Sequence, residues 1–401
     1  MKRTFTRLLS RLRRTGVTAS VTFRLTAIPD NTPAGTTIYL TGSCNGWTTD
    51  DPRFALAFDP ASSSYSVTVP PHPGPLEYKF TRGSWATIET DADNRALPNR
   101  RYVFGHRPQV VEQQVLNWED AGGLIPPRPH SASPNVHILS EAFIIPQLRR
   151  LRRVWVYLPP GYAAGSRCYP VLYLQDGQNV FDQYTSFAGE WGIDETLDQL
   201  AASGHDLGGC LVVAVDNGGP RRLDEYSAWH NARSQRGGEG EQYADFLAHT
   251  LKPYIDVHYR TRPEPAATGI MGSSLGGLVA TYAALRHPAV FGRVGVFSPA
   301  FWFAGPLLLA YVAEHAPPPG TRFYFVSGAH EGPAMVPLMA AVRDALRTAG
   351  VPASHLSYHV RPDGQHAEWF WRREFAAAYT WLFAEDLPPL ASPALPTTSL
   401  A

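Results

Sequence analysis

Thr268-Gly269-Ile270-Met271-Gly272-Ser273-Ser274-Leu275-Gly276-Gly277 runs from an apolar, strand-like tetrapeptide into a glycine–serine turn, and then into the helix-like segment 278–287. Strand, tight turn and helix with G-x-S-x-G at the turn is the pattern of a nucleophile elbow, which holds its serine on a strained bend at the carboxyl end of a strand. The small residues two positions either side let strand and helix pack closely, and Gly277 adds room. Ser274 has these glycines at the right offsets and Ser273 does not. A chance Gly/Ser turn would need no strand before it and no helix after it, so Ser274 is the predicted nucleophile. Leu275 opens the helix, whose first amides point at the reacting oxygen, and its N–H is one predicted oxyanion donor.

The same grammar extends outward from the elbow. Segments 154–158, 171–174, 211–215, 294–297 and 322–326 are short and several are almost wholly apolar, as strands covered on both faces are. Helix-period segments at 191–202, 241–255, 335–349 and 368–383 alternate with them. Alternating strands and helices predict an α/β-hydrolase domain over 136–388, with a mostly parallel sheet flanked by helices. Upstream, 21–25, 37–40, 65–69, 77–80 and 110–115 are β-branched and aromatic, separated by Pro, Gly, Asn and Asp. They predict an all-β, immunoglobulin-like sandwich over 20–118. Between the two, 119–135 is dense in Pro, Gly and Ser and reads as an exposed linker. Residues 1–19 form a basic tail and 389–401 a C-terminal tail.

A serine hydroxyl needs a base. In this chain order the base is a histidine after the last strand. His366, in Asp363-Gly364-Gln365-His366, follows the strand-like 358–361 and opens the final helix. The acid belongs on the loop after 322–326, where Glu331 is the carboxylate; Asp363 is the rival, awkwardly close to His366 in sequence. The second oxyanion donor belongs on the loop after 171–174, with Gly177 and Gln178 as candidates. Trp229, Phe301 and Trp302 are aromatic candidates for the substrate pocket, or for core.

Composition narrows the function further. Lys+Arg and Asp+Glu both total 35 in 401 residues, so no net charge draws a polyanion, and nucleic acid is not an expected partner. Three cysteines are too few and scattered for a disulfide framework, and read as small buried residues. There is no H-E-x-x-H and no paired Cys, so no metal and no cofactor is expected. No run of 18 apolar residues occurs, so no membrane span is expected. Arg7, Arg11, Arg13 and Arg14 break every apolar stretch at the start, unlike a secretory signal. The default expectation is a cytoplasmic location.

Several of these segments carry a family likeness. Residues 171–182, Gly189-Glu190-Trp191, Val215-Asp216-Asn217-Gly218-Gly219 with Arg222, Glu225 and Tyr226, the stretch 272–277, and Phe297-Ser298-Pro299-Ala300-Phe301-Trp302 resemble the enterochelin-esterase-like (esterase D-type) α/β hydrolases. The resemblance implies ester hydrolysis with serine and histidine at Ser274 and His366. In 20–118, residues 42–47, 77–80, Trp85 and Pro98-Asn99-Arg100 resemble the starch-binding carbohydrate-binding modules of family 20. That resemblance implies a sugar platform of Trp47 and Trp85, helped by Lys79 and Asn99. The segment 86–97 is longer than the usual form.

The leading expectation is a serine esterase acting through an acyl-enzyme on a small-molecule ester, carbohydrate-linked or siderophore, with a glucan as a further ligand of the N-terminal domain. An acyltransferase using the same triad, and a non-catalytic carbohydrate-binding protein on a hydrolase body, are the competing readings.

Overall fold

The structure, a computed structural model, describes residues 19–30, 32–71, 74–91, 94–120, 129–186, 189–232 and 234–384. The first domain is all-β. Its strands are β1 (Val21–Ala27), β2 (Tyr39–Gly42), β3 (Ala57–Asp59), β4 (Ser64–Val69), β5 (Leu76–Thr81), β6 (Glu89–Thr90), β7 (Arg100–Tyr102), β8 (Gln109–Gln114) and β9 (Asn117–Trp118). They form a four-stranded sheet in the order β3-β4-β1-β8, a three-stranded sheet β2-β5-β7, and the pair β6-β9. Val21, Phe23 and Leu25 of β1 and Leu76, Tyr78 and Phe80 of β5 alternate inward into one shared core, where the Phe23 and Tyr78 rings meet at 4.4 Å. Period-two burial on both sheets is what joins them face to face.

The second domain holds β10 (Val136–Ile145), β11 (Arg150–Tyr157), β12 (Val171–Gln175), β13 (Leu211–Val215), β14 (Thr268–Ser273), β15 (Arg293–Phe297), β16 (Arg322–Gly328) and β17 (Leu356–Arg361). They make one sheet, β10-β11-β13-β12-β14-β15-β16-β17. It is parallel from β13 to β17 and antiparallel at the β10–β11 edge. The chain reaches β13 on one side of β12 and β14 on the other. Such a switch point is where the carboxyl ends of strands open a crevice for ligands.

Helices α1 (Ile193–Ala202), α2 (Gly240–Phe246), α3 (Lys252–His258), α4 (Leu275–Arg286), α5 (Pro306–Glu314), α6 (Met335–Thr348) and α7 (Glu368–Phe383) flank the sheet. Alternate residues of β12 show why both faces are covered. Val171 and Tyr173 join one core with α2 and α4, while Leu172 and Leu174 join another with α1 and α7. Helix α4 is buried from Leu275 to Leu285, as a helix apolar all round must be.

The expected strands and helices are present, β3, β6, β7, β9 and α5 are found in addition, and four further differences bear on the fold. The segment 241–255 is not one helix: α2 passes through a π-turn (Leu247–Leu251) into α3. Pro253 explains this, because it lacks an N–H and its ring would meet the carbonyl four residues back. Strand β10 was not expected, because its residues are mostly exposed and lack clean alternation. Residues 129–135 are not a free linker. The Ser131 and Ser133 amides donate to Asp182 and Asp194 at 3.1 and 2.7 Å, and Asn135 Nδ2 donates to Asp198 at 2.8 Å. Cys44 and Cys210 are buried as expected, but Cys168 is exposed. Most of the basic tail, the linker residues 121–128 and the tail 389–401 lie outside the described residues, while Ala19 is buried with the β domain. Among the described residues no helix is long and apolar enough to cross a membrane.

Candidate active site

The elbow is built by close backbone approach. Ser274 caps α4 with φ 56° and ψ −121°, a left-handed strain that a non-glycine residue adopts only when its surroundings enforce it. A Cβ on Gly272 would lie 2.6 Å from the Gly276 carbonyl carbon, so the strand end tolerates no side chain where the helix begins. The Ser274 N–H donates to Phe297 O at 2.9 Å, and its carbonyl accepts from Ala300 N at 2.9 Å, tying the turn to the end of β15.

The loops after β16 and β17 bring the predicted acid and base together. Glu331 Oε2 lies 2.9 Å from His366 Nδ1. Glu331 Oε1 accepts from Ser298 Oγ at 2.9 Å and from Gly328 N, and Ser298 Oγ accepts from Trp371 Nε1 at 2.9 Å. The Glu331 side chain is 1% exposed and that of His366 26%. The loops can approach because Gly328 and Gly364 lack side chains: a Cβ on Gly328 would stand 2.0 Å from Gly364 O. Burial opposes charging of His366, but the hydrogen bond and charge of Glu331, with Glu77 and Glu368 beyond it, hold the imidazole above its ordinary pKa. Asp363 is exposed and paired with Arg373. Ser298 and Trp371 were not expected in this network; the only sequence signal was Ser298 within the Phe-Ser-Pro motif.

The predicted oxyanion donors stand on adjoining elements. Asp176, in the left-handed region at φ 57°, turns the chain after β12 into Gly177 and Gln178. A Cβ on Gly276 would meet Gln175 Cβ at 3.2 Å and Asp176 Oδ2 at 3.4 Å, so this turn abuts the start of α4. The Asp176 carboxylate is fixed by Arg222 at 2.6 and 2.8 Å and by Asn217 Nδ2 at 2.7 Å. Gln178 Oε1 accepts from Asn217 N at 3.1 Å.

The family model described as "Putative esterase" matches residues 145–382, more than half of the chain and all of the loops just described. The chain belongs to the Esterase family. The esterase is 28% identical over 331 residues to the iron(III) salmochelin esterase of Escherichia coli, covering 78% of this chain and 73% of that protein. It is 40% identical over 102 residues to an alpha-amylase of Niallia circulans, covering 25% of this chain and 8% of the amylase. It shares its fold with the enterobactin esterase of Shigella flexneri solved in the presence of enterobactin, with a TM-score of 0.51 at 17% identity over 86% of this chain and 88% of that one. These findings agree with the enterochelin-esterase-like likeness of its sequence.

In the β domain of the esterase, the partly buried Trp47 and Trp85 rings stack with centroids 6.1 Å apart and planes at 29°. Lys79 is buried and its ammonium donates to Leu97 O. Asn99 Nδ2 donates to Glu77 Oε2 at 3.3 Å. Of the aromatic pocket candidates, Phe301 is core, and Trp229 packs edge-on against Tyr282 and Tyr311. Trp302 reaches the β domain, 3.7 Å from where a Cβ on Gly46 would be. Among the described residues, Asp245, His249 and His287 set ligand atoms within 4.8 Å of one another. The Asp245 carboxylate is already shared by Arg286 and His287.

Proposed function

We propose that this esterase is a serine carboxylic-ester hydrolase working through an acyl-enzyme on Ser274. The observation that carries the reading is the strained Ser274 turn at the end of β14 together with a part-buried Glu331–His366 pair on the loops after β16 and β17. Because Nδ1 of His366 is engaged by Glu331, Nε2 is the nitrogen left to act as base. Ser274 Oγ attacks the ester carbonyl carbon as His366 Nε2 takes its proton. The N–H of Leu275, with that of Gly177 or Gln178, receives the oxyanion. The tetrahedral species collapses as His366 returns the proton to the leaving alcohol, and water, activated by the same nitrogen, releases the acid. No cofactor enters this cycle. The names of the salmochelin and enterobactin esterases support ester hydrolysis as the chemistry.

The test is covalent labelling. A fluorophosphonate probe is expected to label the folded wild type on Ser274, and Ser274→Ala is expected to lose both labelling and hydrolysis of p-nitrophenyl acetate. Retention of hydrolysis in Ser274→Ala would refute the assignment.

A further inference from the structure

The turn after β12 carries the predicted oxyanion donors Gly177 and Gln178, and it is gripped by the chain that leaves β13. A Cβ on Gly177 would lie 2.8 Å from Asp216 N and from Val215 C, so the turn is pressed against the end of that strand. Asn217 N donates to Gln178 Oε1 at 3.1 Å, and Asn217 Nδ2 to Asp176 Oδ1 at 2.7 Å. From the short helical turn Arg222–Glu225, Arg222 Nε and Nη2 donate to Asp176 Oδ1 and Oδ2 at 2.6 and 2.8 Å. The Tyr226 hydroxyl accepts from Asp176 N at 3.1 Å, and the Arg222 guanidinium lies over the Tyr226 ring, 5.1 Å from its centroid.

Asp176 needs this grip for two reasons. Its backbone stands in the left-handed region at φ 57°, which a non-glycine residue holds only when its surroundings over-determine it. Its carboxylate is also ill placed for ester chemistry. Asp176 directly precedes Gly177, and its Oδ2 lies 3.4 Å from where a Cβ on Gly276 would be, one residue beyond Leu275. The carboxylate therefore stands beside both predicted oxyanion donors, where an uncompensated negative charge opposes the charge that develops on the substrate oxygen. At 6% exposure, water screens Asp176 little. Arg222 supplies the opposite charge, through a two-point fork that a lysine does not make.

We propose that Arg222 is a positioning residue of the reaction: it locks the Asp176 turn that presents the second oxyanion donor, and it cancels the Asp176 charge beside the forming oxyanion. The proposal rests on the serine-esterase reading. Arg222 acts through Asp176 and need not touch the substrate. The Asp176 carboxylate is then a fastener whose charge the transition state could not bear without its partner.

The experiment is a paired substitution on the full chain, assayed with p-nitrophenyl acetate. Arg222→Met keeps a long side chain and removes the charge. Its kcat and kcat/KM are expected to fall together by about ten- to a hundredfold, the pattern of an interaction realised in the transition state. Adding Asp176→Asn removes the second charge and keeps a residue type that tolerates the left-handed region. The double variant is expected to run about fivefold or more faster than Arg222→Met, whereas a role in packing alone gives no recovery, because the double variant keeps fewer native contacts than the single one. Inhibition by a trifluoromethyl ketone is the second readout. Ser274 Oγ adds to its carbonyl carbon, the serine proton passes to His366, and the carbonyl oxygen becomes an oxyanion. Its Ki should weaken in the single variant and recover in the double in step with kcat. Melting temperature is measured on each variant, and if Arg222→Met does not fold, Arg222→Gln takes its place in both arms. A kcat within about twofold of wild type in the single variant, or a double variant no faster than the single, overturns the proposal. Failure of the underlying reading looks different: Ser274→Ala would still hydrolyse the ester.

Discussion

Replacing Glu331 by Gln keeps the shape of the side chain and removes its charge. Glu331 accepts three hydrogen bonds, two on Oε1 from Ser298 Oγ and Gly328 N and one on Oε2 from His366 Nδ1. The amide satisfies Ser298 and Gly328 through its oxygen and so turns its NH2 toward His366. Nδ1 must then accept, which places the imidazole proton on Nε2, the nitrogen that has to take the proton of Ser274. The base is lost through the wrong tautomer with the packing intact. The equivalent change in a serine protease triad lowers kcat about 10⁴-fold, roughly 5 kcal/mol at 1.36 kcal/mol per decade. A fall of about 10³- to 10⁴-fold is expected here for p-nitrophenyl acetate, with little change in melting temperature. The pH profile supplies a second readout. Catalysis needs neutral His366, so kcat/KM rises with pH through the histidine's pKa, which stands above its ordinary value. Glu331 raises that pKa and burial lowers it, so the variant's limb moves to lower pH. Asp363→Asn is the control. Its carboxylate is exposed and pairs with Arg373, so its rate should stay within about twofold of wild type. A Glu331→Gln rate within about tenfold of wild type, or a greater loss in Asp363→Asn, would refute this account of the acid.

Two further substitutions probe how the pair is held. Gly328→Ala puts a methyl group where Gly364 O stands 2.0 Å away; it should part the acid and base loops, so that stopped-assay activity falls more steeply than stability in a urea titration. Ser298→Ala takes one donor from Glu331 and leaves Trp371 Nε1 without its acceptor. It should cost about 1–3 kcal/mol in denaturant unfolding and lower kcat, with unchanged unfolding and unchanged kcat as the refuting result.

The elbow was legible in the sequence because its cause is local. Gly272 passes close to the Gly276 backbone where the strand turns into a helix at once, and a Cβ on Gly272 does not permit that approach. The mostly parallel sheet that carries the candidate serine, acid and histidine was legible because wholly apolar strands such as Leu211–Val215 announce a sheet buried on both faces. Which carboxylate meets His366 was a different matter. Glu331 and Asp363 are the same chemistry on neighbouring loops, and only the close approach of Gly328 to Gly364 brings Glu331 within 2.9 Å of the imidazole while leaving Asp363 in solvent beside Arg373. Ser298 and Trp371 join for the same reason: their contacts cross loops distant in sequence. Sequence pattern records the local sterics and burial of each segment; the meeting of Glu331, Ser298 and Trp371 beside His366 is a property of packing between segments distant in sequence, and the folded chain alone decided it.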